Sequence, residues 1–371
     1  MDRLWTYRFP YWVAYEWRAD NEEENCRQFC CSRLSSRCAC ASGTRRRWRS
    51  ADDRLRGGAY QAAQRKAFFE PFAKATGFKI TEDEYNYDSA KIRSMVETKT
   101  VSWDVVDVSA GMAIQLCSQG VLETIDWKKV GIDRAKFMTG DKLDCGVPSQ
   151  ASATVLAYDK DKLENGPKSI DDLFDVKKFP GKRGLWKGPG GNLEWALIAD
   201  GVPIKDVYKV LRTPEGIDRA FKKLDTIKQD VIWWVSGAQA PQLLADGQVV
   251  MTGAYNGRIY NAVKNSGKHF DIIWNAALLN VSAWVIPKDG PRRDDAYKFI
   301  AFAASAQAQA DVTRYIPYAP GNKDAIALVD PAILLNLPTA PDHMGTLEID
   351  FAFWVENGDD LRQRFTAWLA K

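Results

Sequence analysis

Short apolar segments alternate with segments of helical length along most of the chain, from Gly57 onward. The apolar spacing predicts a helix over 60–75 and another long helix over 294–313. Between them, strands are predicted at 103–108, 153–158, 183–187, 231–235, 249–252, 271–274 and 284–286. This alternation favours an α/β fold with mostly parallel sheets flanked by helices, in which ligands sit beyond the carboxyl ends of the strands.

The basic residues divide the chain into two parts. No lysine occurs in the first 65 residues, and residues 1–56 hold twelve arginines against eight acidic residues. Twelve minus eight gives this head a charge of +4, whereas the whole chain carries +3, so the remainder is nearly neutral. The remainder has no lysine and arginine stripe to neutralise phosphates, which excludes a nucleic-acid partner.

The length after the head suggests two compact lobes, since about 315 residues exceed the usual ~150 of one domain. No apolar run reaches the ~18 residues that a membrane-spanning helix needs. The most apolar early stretch, 4–15, is interrupted by Arg8 and Pro10, so we expect no export signal in the chain as written.

Cysteine usage also differs between the two parts. Cys26, Cys30, Cys38 and Cys40 in the head make a poor zinc site, because one gap is a single residue and no histidine is near, so we expect no metal. Outside the head the cysteines are Cys117 and Cys145. They are placed for a disulfide, which indicates an oxidising compartment; two buried thiols are the alternative.

Several stretches, taken in order, resemble the periplasmic substrate-binding proteins of ABC importers, in the spermidine/putrescine-type group of the type II class. The matching stretches are GGAYQAAQRKAFFEPFAKATG (57–77), WDVVDV (103–108), CSQGVLETIDW (117–127), VPSQASATVLAYDKDKL (147–163), VIWWVSGAQAPQLLADGQVVMTGAYNGRIYNA (231–262), WVIPKDG (284–290) and IPYAPGN (316–322). The resemblance implies two lobes joined by a hinge of two or three crossing strands, which close around a small solute. It also implies a periplasmic monomer that delivers the solute to membrane permease subunits, without a cofactor and without catalysis.

On this resemblance the chain divides into four parts. They are a non-native-looking or disordered head (1–56), a first part of lobe 1 (57–150), lobe 2 (151–285), and a return to lobe 1 with the C-terminal helices (286–371). The family has an apolar first strand ending in Trp-Gly-Gly, whereas SADDRLR precedes Gly57 here. We therefore expect residues 1–56 to lie outside the fold, as a shifted reading frame, a wrongly chosen start or a disordered tail.

A candidate ligand site follows from residues at predicted strand ends and helix starts. Aromatic rings can hold a methylene chain or an ammonium group there, although each ring alone also suits a core; the candidates are Tyr60, Trp186, Trp233, Trp234 and Tyr255. Glu194 falls where a polyamine binder carries an acid, and the alternative is a favourable contact with its own helix terminus. Neutral or anionic recognition can come from Ser109, Ser236, Gln239, Asn256 and Arg258. Arg258 suits a carboxylate, or else lies on a helix surface.

The stretch before WVIP departs from the polyamine pattern. Polyamine binders carry an aromatic residue and an acid there, whereas this chain has Asn280, Val281, Ser282 and Ala283, so we include Asn280 and Ser282 as ligand candidates. A dication facing one carboxylate would leave a buried charge unpaired. The sequence therefore predicts a small polar or cationic solute of polyamine type, with an amino acid, an opine or another organic anion as the alternative.

An enzyme on the same fold is a second alternative. The histidines, His269 and His343, stand in no metalloprotease motif and beside no expected nucleophile. No GxSxG motif occurs, and GKRGLWKGPGG lacks the Ser or Thr of a phosphate-binding loop. We predict a binding protein with no catalytic residue.

Overall fold

The computed structural model describes residues 47–52, 59–84, 89–343 and 345–371, all within a compact unit that spans Arg45–Lys371. For 47–52 the description concerns the backbone. The zinc question at Cys26, Cys30, Cys38 and Cys40 lies outside the described residues.

The described strands form one sheet. They are β1 (Arg47–Asp52), β2 (Lys79–Glu84), β3 (Val105–Ser109), β4 (Val147–Asp159), β5 (Arg183–Trp186), β6 (Val231–Trp234), β7 (Met251–Tyr255), β8 (Phe270–Val285), β9 (Ala319–Pro320) and β10 (Leu347–Glu348). The strand order is β2-β1-β3-β8-β4-β7-β5-β6, with β10 beside β8 and β9 beside β4.

Helices cover both faces of this sheet. They are α1 (Ala59–Gln64), α2 (Glu70–Thr76), α3 (Ser89–Glu97), α4 (Ala110–Ser118), α5 (Trp127–Val130), α6 (Asp171–Phe174), α7 (Asn192–Ala199), α8 (Val207–Leu211), α9 (Pro214–Asp225), α10 (Gln239–Ala245), α11 (Asn256–Ser266), α12 (Arg293–Ala303), α13 (Ala306–Val312), α14 (Pro331–Leu334) and α15 (Phe351–Leu369). A π-helix, Arg65–Phe69, joins α1 to α2.

Two long strands, β4 and β8, cross between the lobes. The carboxyl end of β8 pairs with β3, whereas its amino end pairs with the carboxyl end of β4. The carboxyl half of β4 also pairs with β7, which runs beside β5 and then β6. The fold is therefore a two-lobed α/β fold. In each lobe the outer strands are parallel, and they are antiparallel to the crossing strand that they meet.

Each lobe has its own apolar core. In lobe 1, Trp284 of β8 packs edge-on against Phe68 and Phe299, which brings the first helical segment and α12 together over the sheet. In lobe 2, Leu156 and Leu185 belong to a buried cluster beneath α7 and α9. Burial of such side chains stabilises each lobe by about 25 cal/mol per Å² of apolar surface removed from water.

Three predicted elements differ in detail. The helix predicted over 60–75 contains the π-helix, and the helix predicted over 294–313 stops before Ser305, whose hydroxyl accepts a hydrogen bond from the amide of Ala308 at 3.3 Å and starts α13. The strands predicted at 271–274 and 284–286 are one strand, β8, with Ala276 at a φ of 57°.

The expectation that all of residues 1–56 lie outside the fold differs from the structure. The backbone of Arg47–Asp52 forms β1, which is parallel to β2 on one side and to β3 on the other. Backbone amide and carbonyl groups make the hydrogen bonds of a sheet, so a strand position does not require an apolar sequence. Lobe 1 thus has a strand where we expected one to be missing.

The C-terminal helix, which the sequence grouped with the return to lobe 1 without assigning it to a lobe, packs on lobe 2. Phe353, Leu361 and Phe365 of α15 belong to the buried cluster of lobe 2. Phe365 packs 6.2 Å from Phe221 between ring centroids. Helix α15 therefore completes the core of lobe 2, because α9 leaves an apolar side that another element must cover.

Candidate functional site

The carboxyl ends of the outer strands of the two lobes face each other across the crossing strands. Strand β3 is antiparallel to β8 and ends at Ser109, and β7 is antiparallel to β4 and ends at Tyr255. Because β4 runs from lobe 1 into lobe 2 and β8 runs back, both ends point toward the crossing. Strands β5 and β6 lie parallel to β7 and end at Trp186 and Trp234. This edge is where a ligand binds in open α/β sheets.

A β-bulge lies at the crossing itself. Pro148 pairs with Ala283 and Ala151 with Val281, so Ser149 and Gln150 of β4 stand opposite the single residue Ser282 of β8. Bulges re-aim side chains and occur beside functional sites. We call Ser149, Gln150 and Ser282 the bulge triad.

The bulge triad is buried and its side chains lack hydrogen-bond partners. All three residues are 0% exposed. Neither amide atom of Gln150 and neither serine Oγ has a hydrogen-bond partner among the described residues. Buried polar groups are nearly always paired, so such a cluster requires an explanation, and a site for a polar ligand supplies one.

The backbone beneath the bulge triad is held firmly. Gln309 Nε2 donates to the carbonyl of Pro148 at 3.2 Å, and the amide of Gly321 donates to the carbonyl of Ser149 at 3.0 Å. Gln150 also pairs with Pro320 of β9. The bulge is therefore a fixed feature of the crossing, and its side chains are presented by rigid strands.

A second buried polar group lies on the lobe 1 side. Tyr60 Oη donates to Asp107 Oδ2 at 2.6 Å, and Gln64 Nε2 donates to the same oxygen. Tyr60 is 1% exposed, so its hydroxyl is directed at Asp107 and not at solvent. The centroid of its ring lies 5.4 Å from that of the Tyr318 ring. Nearby, Ser109 Oγ accepts from the amide of Met112 at 3.2 Å and begins α4.

Arg258 and Tyr255 form the corresponding group on the lobe 2 side. Tyr255 ends β7, and Arg258, 8% exposed, lies in the first turn of α11, which follows directly. A Cβ atom added to Gly237 would lie 2.9 Å from the Tyr255 ring and 3.3 Å from Nε of Arg258. The loop after β6 therefore packs directly on both side chains, and only glycine leaves room for them.

The tryptophan candidates occupy different places. The Trp234 ring lies 6.4 Å from that of Tyr255, and its buried Nε1 has no partner in the described part of the chain. Trp186 is 38% exposed at the end of β5, against the turn at Gly188. Trp233 points the other way, into lobe 2, and packs edge-on against Phe365 and Trp368.

Glu194 is enclosed by the protein. It is 1% exposed, and it accepts hydrogen bonds from the Gly191 amide at 2.7 Å, from Tyr208 Oη at 2.9 Å and from Trp354 Nε1 at 2.9 Å. Burial raises the pKa of the Glu194 carboxyl, and these donors oppose that shift. Burial likewise raises the pKa of Tyr208. Three protein donors thus already bind the two oxygens of Glu194, and its burial keeps the ammonium of a solute away from the remaining acceptor capacity.

Three polar candidates make side-chain hydrogen bonds within the protein. Gln239 Oε1 accepts from the amides of Val235 and Ser236, both at 2.8 Å, and so orders the loop after β6. Asn256 Oδ1 accepts from the Ala153 amide at 3.0 Å. Asn280 Nδ2 donates to Thr154 Oγ1 at 3.1 Å. Ser236 and Gln239 follow β6, Asn256 follows β7 and Asn280 lies in β8, and their described bonds are within the protein.

Cys117 and Cys145 form a disulfide with an S–S distance of 2.05 Å. A sulfur in a disulfide is no nucleophile, which removes the cysteine chemistry that an enzyme could use here.

The described part of the chain contains no cluster of three His, Cys, Asp or Glu side chains placed for a metal ion. Among the described helices, none is long and apolar enough to cross a membrane.

Two surface concavities lie away from the crossing strands. One, of about 540 Å³, is lined by Lys129, 290–295 and Lys298; the other, of about 520 Å³, lies along the β2 edge. The basic side chains of the first are ion-paired, as in Lys129 with Asp294 at 2.7 Å. We place the candidate site at the crossing, which holds the buried bulge triad.

A sequence model of the bacterial extracellular solute-binding proteins matches residues 67–338. The chain belongs to this family. It is 45% identical over 316 residues to the gamma-aminobutyric acid (GABA) binding protein of Pseudomonas aeruginosa, a match that covers 85% of this chain and 89% of the relative. Among solved structures, the Atu4243 GABA receptor is 38% identical with a TM-score of 0.78, covering 87% of this chain and 98% of that one.

A third relative is the periplasmic binding protein MotA from A. tumefaciens B6, solved in complex with glucopine. It is 34% identical with a TM-score of 0.79, covering 87% of this chain and 99% of that one. These relatives are binding proteins and not enzymes, and this solute-binding protein is the corresponding component of an ABC transporter. The polyamine subgroup suggested by the sequence is not the one that these relatives represent, since their names state GABA and an opine.

Sequence reasoning missed three residues of the candidate site in this solute-binding protein: Ser149, Gln150 and Asp107. A signal was present for the first two, because SQ interrupts a strand whose other residues are nearly all buried and mostly apolar. Polar side chains in a strand that is buried on both faces have to meet a polar group, and this pattern could have identified them.

Proposed function

We propose that this protein captures a small amino acid or opine, a zwitterion with a carboxylate and an amino group, and delivers it to ABC permease subunits. The observation that carries the proposal is the place of Arg258, buried beside the Tyr255 ring in the first turn of α11, at the carboxyl end of β7. A guanidinium presents paired donors that match a carboxylate, and the amino terminus of a helix favours an anion. The relatives that bind GABA and glucopine support the same class of solute.

The environment of Glu194 opposes the polyamine alternative. A diamine needs an acceptor with negative charge for each ammonium group, because an unpaired buried charge is strongly unfavourable. Glu194 was the carboxylate predicted for that role, and its oxygens are engaged by Gly191, Tyr208 and Trp354. We further propose that the protein acts in the periplasm as a monomer that closes around its solute.

Calorimetric titration of the full-length protein with GABA, glucopine, putrescine and spermidine tests the class of solute. We expect GABA or glucopine to bind and the polyamines not to bind. Arg258→Lys keeps the charge and loses the paired donors, so the dissociation constant should rise roughly 10- to 100-fold. Arg314→Lys is the matched control, since Arg314 is an exposed arginine of lobe 1 paired with Asp311 at 3.3 Å.

The proposal is wrong if putrescine binds and neither GABA nor glucopine does. It is also wrong if Arg258→Lys binds the amino acid as tightly as the unmodified protein. A loss of affinity of equal size in the Arg314→Lys control would show that the effect does not come from the candidate site.

A further inference from the structure

The bulge triad has no charge of its own. Ser149, Gln150 and Ser282 supply two hydroxyl groups and one carboxamide, all fully buried and without described hydrogen-bond partners. Together they offer three acceptor oxygens at one bulge of the crossing strands. An ammonium group has three N–H donors, so the numbers of donors and acceptors match.

The neighbouring strand adds negative charge to the same face of the sheet. Ser109 stands opposite Ser282, and Asp107 stands opposite Trp284. Residues directly opposite each other, and residues two apart on a strand, share a face, so Asp107 and Ser282 lie on one side of the sheet. Asp107 is about 7 Å along β3 from Ser109. A carboxylate on this face of the sheet favours a cation at the bulge over an anion.

The lobe 2 side of the candidate site carries the opposite charge. Arg258 lies there, in the first turn of α11. A zwitterion can therefore be oriented by its two ends, with its carboxylate toward α11 and its amino group toward the bulge.

We propose that the bulge triad is the subsite for the amino group of the solute, and that Gln150 is a specificity-determining residue for amino acids over simple carboxylates. This inference rests on the proposed function and assigns an orientation to the same site. The amide oxygen of Gln150 accepts a hydrogen bond from the ammonium group, and Ser149 and Ser282 accept the other two. A solute without an amino group leaves these groups without partners, which weakens its binding.

The test compares ligands with and without the amino group, on proteins with and without the Gln150 carboxamide. GABA and butyrate differ by that group, and the full-length protein is titrated with both by calorimetry. Gln150→Leu should raise the dissociation constant of GABA roughly 10- to 100-fold and change that of butyrate less than about 3-fold. Gln242→Leu, at an exposed site on α10, is the control and should leave both ligands unchanged.

The Gln150→Glu variant tests which charged group of the solute, the ammonium or the carboxylate, lies at the bulge. A carboxylate at this position keeps the acceptor and adds attraction for an ammonium group, so GABA binding should stay within about 3-fold or become tighter. If the bulge instead receives the carboxylate, Gln150→Glu should abolish GABA binding, which would overturn the proposed orientation. Ser149→Ala and Ser282→Ala provide smaller changes if Gln150→Leu fails to fold, and each should weaken GABA binding more than butyrate binding.

Failure of this inference is distinguishable from failure of the proposed function. If the unmodified protein binds neither GABA nor glucopine, the proposed function is wrong and this inference falls with it. If GABA binds but Gln150→Leu and the two serine variants bind it normally, or lose GABA and butyrate equally, the subsite is wrong and the function stands.

Discussion

Replacing Glu194 separates a structural carboxylate from a ligand-binding one. Its oxygens accept from Gly191, Tyr208 and Trp354, which belong to the start of α7, to α8 and to α15. Glu194→Gln keeps one carbonyl oxygen and brings an amide donor against at least one of these donors. One buried donor left without an acceptor costs about 1–3 kcal/mol in the free energy of unfolding.

Glu194→Ala removes both oxygens and leaves the Gly191 amide and the Tyr208 hydroxyl without this acceptor, while Trp354 Nε1 keeps its longer hydrogen bond of 3.3 Å to Tyr208 Oη. With partial relaxation and the added cavity, the loss in the free energy of unfolding should be roughly 3–6 kcal/mol. Because α15 completes the core of lobe 2, the C-terminal helix should become more susceptible to proteolysis. The affinity of the folded fraction for GABA should change less than about 3-fold, since no oxygen of Glu194 is available to a solute.

The assay is urea denaturation followed by far-UV circular dichroism, together with calorimetric titration of each folded variant. Glu356→Gln on α15 is the matched control, because Glu356 is an exposed partner of Arg212 at 3.3 Å and such pairs contribute at most about 1 kcal/mol. A Glu194→Gln protein that is as stable as the unmodified one but has lost solute binding would refute the structural role and restore the polyamine interpretation.

Three further predictions follow from other parts of the fold. Gly237→Ala places a methyl group 2.9 Å from the Tyr255 ring, so GABA affinity measured by calorimetry should fall about 10-fold or more, with a change in melting temperature too small to explain it. Replacing Cys117 and Cys145 by alanine opens a loop of 28 residues, and the free energy of unfolding in urea should fall by about 3 kcal/mol; an unchanged midpoint would contradict this. Burial lowers the pKa of His343, so at pH values just below 6.5 this imidazole binds fewer protons in the folded protein than in the unfolded chain. Stability should therefore decrease as the pH falls from about 6.5 through the folded pKa, and His343→Gln should remove this slope in urea midpoints measured between pH 7 and 5.

Much of the fold was accessible from the sequence, because it depends on local patterns. The helix near 60–75 and the strand at 103–108 were predicted from the spacing of apolar residues and from turn residues, which act over a few positions. The matched stretches also placed the protein among solute-binding proteins. The continuity of β8 and the assignment of α15 to lobe 2 were not predicted, since both depend on which distant element covers which surface.

The sequence alone determined the α/β class, the solute-binding family and a set of polar and aromatic candidates for the site. Only the tertiary structure decided which of those residues lie at the crossing strands and which are enclosed elsewhere in the protein. Glu194 is enclosed because Tyr208 and Trp354, far along the chain, supply donors to it. Gln150 becomes a candidate because a bulge places it opposite Ser282, 132 positions away. A side chain's chemistry is local, whereas its available partners are set by the packing of the whole chain.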